Sequence, residues 1–171
     1  MANIITRVGL GYDVHAFATA EAKRRLMIGG IVIPHDRGLA GHSDADVLLH
    51  AVVDALLGAA ALGDIGTHFP STDPLWKDAS STVFLGHTLD LLKQNGWEIS
   101  NIDTTVVAEQ PRLASYVPAI REHLAEVMGI SPDVVSVKAK TTDGLGFVGR
   151  QEGIACFAVT LLVGTGVAGR G

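Results

Sequence analysis

The chain is 171 residues long, the size of one domain and enough to bury most of its unfolded surface without covalent staples. Its single cysteine, Cys156, excludes intramolecular disulfides and cysteine-rich zinc modules and fits a reducing compartment. Thirteen Lys and Arg against eighteen Asp and Glu give a net charge of −5; with Lys23-Arg24-Arg25 as the only basic run, nucleic acid is excluded as the main partner.

The elements follow in chain order. Residues 4–10 read as a strand, and 26–28 with 31–33 flank Gly29-Gly30 as the arms of a tight hairpin. Between residues 44 and 62 the apolar positions recur at helical spacing, with Ser43 as N-cap and Asp46 as its capping-box partner. A Gly/Asp/Pro-rich loop over 63–74 leads to a helix over 80–95 that stops at Gly96, a natural C′ residue. Residues 97–108 are rich in β-branched side chains and read as a strand. Residues 111–128 contain a helix ending at Gly129, and 134–140 and 154–163 read as two further strands. Strands interspersed with helices without regular alternation predict an α+β fold, a mixed β-sheet with helices packed on one face. Residues 1–163 form one expected domain, and the Gly-rich end, 164–171, is expected to be a flexible tail.

The longest apolar run, 51–62, is broken by Asp54 and is too short to span a bilayer. The first residues lack a signal-peptide layout, so a soluble cytoplasmic protein without a membrane partner is expected. Hydrophobic residues make up 47% of the chain and the mean hydropathy is +0.32. Such a surplus suggests apolar surface covered by another subunit.

Several constellations carry chemistry. Asp13 and His15, at i and i+2 of an extended segment, point to one side and can converge on a cation. Asp46, His50 and Asp54 recur at i+4 on one helix face, where His50 could join that cation while a carboxylate orients its second ring nitrogen. One carboxylate with two histidines leaves a coordination position open, as in catalytic zinc; a solvated helix face with an isolated histidine is the alternative. His42-Ser43 precedes the helix, where a free helix N-terminus favours phosphate, and simple capping by Ser43 is compatible with that. The 63–74 loop, with Asp64, Gly66, Phe69, Pro70 and Asp73, can hold a polyol or be an ordinary surface turn. Lys140-Thr141-Thr142-Asp143 suits a diphosphate with a divalent ion, or a plain turn. The run 144–149 spells a dinucleotide-binding pattern, but a β-branched segment follows it rather than a helix, so a Rossmann site is rejected. Walker and G-x-S-x-G motifs are absent.

Taken together, Gly11-Tyr12-Asp13-Val14-His15, Ile28-Gly29-Gly30, the run from Gly41 through His50, the run from Asp54 through Gly66, and Leu145-Gly146-Phe147-Val148-Gly149-Arg150 resemble the 2-C-methyl-D-erythritol 2,4-cyclodiphosphate synthase family. The resemblance spans residues 6–163. It implies a lyase of the non-mevalonate isoprenoid route that cyclises 4-diphosphocytidyl-2-C-methyl-D-erythritol 2-phosphate and releases CMP. It further implies a homotrimer of α+β subunits with active sites between neighbours. By position, Asp13, His15 and His50 correspond to the ligands of one zinc ion, and His42 and Thr141 to the residues that stabilise the transition state. The implied substrate contacts are Asp13, Val14, His15, His42, Ser43, Asp64, Ile65, Gly66, Phe69, Pro70, Ser71, Thr72 and Asp73 around the metal and methylerythritol. Ala108, Pro111, Arg112, Leu113 and Ala114 border the cytosine. Lys140, Thr141, Thr142 and Asp143 meet the diphosphate, with Phe147 and Arg150 completing the set, and a second divalent ion, magnesium or manganese, is held with Asp143. Three features depart from the family pattern: Asp143 replaces Glu, Lys140 and Arg112 replace Thr and Lys, and the 16–25 segment is longer and has no assigned role.

Overall fold

A computed structural model describes residues 4–165. Its frame is a four-stranded sheet built from β1 (Ile4–Ala16), β4 (Trp97–Val107), β5 (Val135–Lys140) and β6 (Gly153–Thr165), in the order β1-β6-β4-β5. β6 runs antiparallel to both β1 and β4, whereas β5 is parallel to β4, so the sheet is mixed. The short hairpin of β2 (Leu26–Ile28) and β3 (Ile31–Ile33) forms a separate ribbon. Its turn needs Gly29 and Gly30 at φ 62° and 78°, a pair of left-handed residues whose twist matches the strands.

The helices are α1 (Val47–Ala60), the one-turn α2 (Ile65–His68), α3 (Ser81–Gln94), α4 (Val117–Met128) and the one-turn α5 (Gly146–Gly149). The longer three pack on one face of the sheet, as the sequence predicts. α1 is apolar almost all round and buries every residue except Asp54 and Gly58, because it is clamped between β1 and β6 below and α3 above. It approaches β1 closely enough that a Cβ built on Gly9 or Gly11 would lie 1.9 Å from the carbonyl oxygens of Ala55 and Ala51. Only glycine permits that contact, and it brings the odd-numbered residues of β1, Asp13 and His15 among them, up against the helix.

Three local expectations are corrected. α1 starts at Val47 rather than Asp44, and its N-cap is Asp46, not Ser43. The Asp46 carboxylate accepts from the amides of Leu48 and Leu49, both at 3.1 Å, and from those of Gly29 and Gly30 at 2.8 and 2.6 Å. A buried carboxylate with four amide donors caps the helix and bolts the hairpin turn to it. The N-terminus of α1 is thus filled by the chain's own anion. The 63–74 loop contains α2, whose N-cap Asp64 accepts from the Thr67 amide. β6 continues to Thr165, so the first two residues of the expected 164–171 tail are strand, and 166–171 lie outside the described residues. α3 and α4 end where expected, with Gly96 and Gly129 in left-handed backbone just past them. Among the described residues no helix is long and apolar enough to cross a membrane.

Candidate active site

Alternation along β1 points Asp13 and His15 at α1, and His50 lies one turn into that helix. The three side chains converge: Asp13 Oδ2 is 2.9 Å from His15 Nε2 and 3.1 Å from His50 Nδ1, and the two histidine nitrogens are 3.0 Å apart. Among the described residues this is the only cluster of three or more His, Cys, Asp or Glu able to share a metal ion. Three donors around a tetrahedral zinc, each about 2.0–2.2 Å from it, would stand about 3.3 Å apart, close to what the side chains present. The hydrogen bonds also fit. His15 Nδ1 is 2.7 Å from the Ala40 carbonyl, which can only accept, so the proton sits there and the Nε2 lone pair turns inward.

Within the cluster Asp13 and His15 favour each other's charged forms. Burial raises the Asp13 carboxyl, but hydrogen bonds and attraction from His15 and His50 outweigh it and hold the group well below the usual carboxylate range. Burial likewise works against charge on His15, but the hydrogen bond and charge of Asp13, helped by the Ala40 carbonyl, raise its pKa above the ordinary 6.5. Asp54 does not orient His50. Its Oδ1 accepts from the Ile65 amide at 2.7 Å and ties α2 to α1, while burial raises its pKa. Asp46 is equally absent from that role, being spent on the cap. The groups at the second nitrogen of His50 are Ser81 and Ser43, at 2.8 and 3.1 Å.

The cluster opens on a cavity of about 250 Å³ lined also by His42, Ser43, Ile65, Gly66, Phe69, Ser71, Trp76 and Phe84. His42 Nε2 is held by the Asp73 carbonyl at 3.1 Å, and Asp73 caps the turn Pro74–Trp76. Asp64, Pro70 and Thr72 flank these lining residues in sequence without lining the cavity themselves, and Val14 points to the opposite face of the sheet. Trp76, Phe84 and Ser81 were not legible as site residues: aromatic and hydroxyl positions of an ordinary helix and turn carry no signal until the chain folds them against His50.

The other expected contacts gather elsewhere. Ala108, Arg112, Leu113, Ala114, Lys140 and Thr141 line a second cavity of about 100 Å³, beside the Gln110–Pro111 bond, which is cis. Thr141 Oγ1 donates to Asp143 Oδ1 at 3.0 Å, and Thr142 Oγ1 to the Leu145 carbonyl at 2.6 Å. Arg150 pairs with Glu152 through Nε at 2.8 Å, and Phe147 is partly exposed. α5 runs directly into β6, in keeping with the rejection of a dinucleotide site. Within one chain, then, the metal-competent group and the Ala108–Thr141 group belong to two separate cavities.

Comparison with known proteins gives this arrangement a family. The YgbB family matches residues 6–163. The 2-C-methyl-D-erythritol 2,4-cyclodiphosphate synthase of Syntrophomonas wolfei is 55% identical over 156 residues, covering 91% of this chain and 98% of the relative. That of Geobacter sulfurreducens is 54% identical over 156 residues, covering 91% and 98%. Among solved structures, a CDP-bound 2C-methyl-D-erythritol-2,4-cyclodiphosphate synthase is 34% identical with a TM-score of 0.82, covering 91% of this chain and 99% of that one. The bifunctional IspDF of Campylobacter jejuni is 39% identical with a TM-score of 0.90; the match covers 95% of this chain but 43% of the two-function polypeptide. An identity above one half along nearly the whole length, with the same fold, means that this chain belongs to the YgbB family of 2-C-methyl-D-erythritol 2,4-cyclodiphosphate synthases.

Proposed function

We propose that this chain converts 4-diphosphocytidyl-2-C-methyl-D-erythritol 2-phosphate to 2-C-methyl-D-erythritol 2,4-cyclodiphosphate and CMP in the non-mevalonate route, as a cytoplasmic homotrimer. The observation that carries this is the convergence of Asp13, His15 and His50 beside the 250 Å³ cavity, in a chain 55% identical to a synthase of that activity. The reaction balances without water. An oxygen of the 2-phosphate bonds to the β-phosphorus, the β-phosphorus–oxygen bond to CMP breaks, and CMP leaves with the electron pair.

Asp13, His15 and His50 would hold a zinc ion, which when bound supplies Lewis-acid charge to a phosphoryl oxygen. The nucleophile needs no strong base, because a phosphate monoester with a second pKa near 6 is mostly dianionic at neutral pH. The protein's task is to bring two anions together and to place donors where charge develops on the departing CMP. His42 serves one phosphate, its ring oriented by the contact of Nε2 with the Asp73 carbonyl. Ser43 adds a hydroxyl, and Ile65, Gly66, Phe69 and Ser71, with Asp64 and the 70–73 turn, enclose the methylerythritol. Ala108 and Pro111–Ala114 border the cytosine. Lys140 to Asp143 hold the diphosphate, Thr141 donating in the transition state, and Asp143 would help hold a magnesium or manganese ion, which when bound would supply further positive charge to the diphosphate; Phe147 and Arg150 complete the contacts.

Two observations support the trimer. The sheet face opposite the helices exposes Val8, Leu10, Tyr12, Val14, Phe157 and Val159, an apolar patch that a soluble monomer does not leave open. The expected contacts fall into two separate cavities within one chain, the division that a site shared between neighbours requires.

Phosphorus NMR of the purified protein with the cytidyl substrate tests the reading. A cyclic diphosphate appearing with CMP is expected; open-chain monophosphates would identify a hydrolase instead. His50→Ala or Asp13→Ala should lower turnover by at least about a thousandfold while circular dichroism stays native, and chelation should abolish activity until zinc is restored.

A further inference from the structure

The second ring nitrogen of His50 faces away from Asp13 and His15, into a buried hydroxyl pair. Nε2 lies 2.8 Å from Ser81 Oγ and 3.1 Å from Ser43 Oγ, and Ser81 is fully buried at the first position of α3. Chemistry sets the direction of these bonds. Nδ1 is the nitrogen that meets the other two ligands, so holding a cation there requires its lone pair, and the proton must sit on Nε2. Nε2–H therefore donates to the Ser81 hydroxyl. The hydrogen of that hydroxyl goes to Asp44 Oδ1, and Asp44 is itself fixed by the Ser81 amide at 3.1 Å and the Asp46 amide at 3.3 Å. Ser43 is the weaker acceptor, since it is farther from Nε2 and already takes the Ala45 amide at 3.2 Å.

We infer that Ser81 and Asp44 are positioning residues of the metal centre. Through the series His50–Ser81–Asp44 they lock the His50 tautomer that turns its Nδ1 lone pair toward Asp13 and His15, and they make that nitrogen more basic. A histidine ligand usually rests its free N–H directly on a carboxylate or carbonyl; here a serine hydroxyl stands between them. The device recruits α3 into a centre whose ligands come only from β1 and α1. The inference rests on the metal-binding reading above.

Cobalt titration of the full-length protein, followed by visible absorption and by competition with a chelator, tests it. The native chain should take up one cobalt with tetrahedral bands. Ser81→Ala should weaken cobalt affinity about 10–100-fold, and Ser81→Thr, which keeps the hydroxyl, should recover most of the loss. Asp44→Asn keeps an acceptor but not its charge, so a smaller loss of about three- to tenfold is expected. A merely structural role would lower the unfolding midpoint and leave affinity in place. The relay is overturned if Ser81→Ala folds and binds cobalt as tightly as the native chain; should that variant not fold, native affinity in Asp44→Asn overturns it equally. A native chain that takes up no cobalt would overturn the metal centre itself, and the relay with it.

Discussion

Asp13 and His15 show how a pair of residues links the site to the stability of the chain. In the metal-stripped protein the raised His15 pKa is stabilisation fully present below the ordinary 6.5 and lost as pH rises through the folded value. The depressed Asp13 pKa is stabilisation present above 3.8 and lost as pH falls toward its folded value. This pair therefore favours the folded metal-free chain most between about pH 4 and 6.5. Zinc competes with the His15 proton, so the gain in thermal midpoint on adding zinc should grow with pH across that upper limit. Thermal melts from pH 5 to 8, with and without zinc, measure both slopes. His15→Asn should flatten the metal-free one, and an unchanged slope in that variant would locate the pH sensitivity elsewhere. That these two residues could share a cation was legible from their i, i+2 spacing alone. Which nitrogen of each ring faces the centre was not, because the tautomers are set by Ala40 and Ser81, remote in sequence from the histidines they restrain.

At the scale of elements, the strands and helices announce themselves by their residue types, and the caps mostly do. The Gly29-Gly30 hairpin, the stops at Gly96 and Gly129 and the β-branched run of β4 were all readable. The start of α1 was not: Ser43 is a good capping residue by type, but Asp46 wins the position because the hairpin turn offers it two further amides. That tertiary bond is invisible to local pattern. Asp46→Ala is expected to cost about 2–4 kcal/mol, combining a lost cap with amides left unsatisfied in the interior; urea unfolding at fixed protein concentration measures it. Gly11→Ala tests the contact between strand and helix. Its Cβ would meet the Ala51 carbonyl, and the enforced separation should cost about 1–3 kcal/mol and loosen metal binding two residues on, at Asp13. Native stability in that variant would mean that α1 can shift freely against β1.

For the whole molecule, the face of the sheet left open by the helices is the part that composition foresaw only as a surplus of apolar residues. Alternation along β1 and β6 turns that surplus into a patch, with Tyr12 and Phe157 in contact across the strands at 4.8 Å between ring centres. Leu10→Asp, which puts a charge between Val8 and Tyr12 and opposite Val159, should break the proposed trimer into monomers on sedimentation and remove turnover while the monomer keeps its circular dichroism. A fully active monomer would place the whole catalytic apparatus within one chain and dissolve the case for shared sites. The division of the expected contacts into two cavities was legible only through the family resemblance, which implied sites between neighbours; residue spacing alone says which residues could share a site but not that they fall into two groups.

The three donor side chains come from residues 13, 15 and 50, brought together only when a strand beside the N-terminus docks on a helix thirty residues away. No stretch of unfolded chain can hold them at that spacing. Uptake of a coloured ion during refolding would therefore clock the moment of docking, lagging behind helix formation.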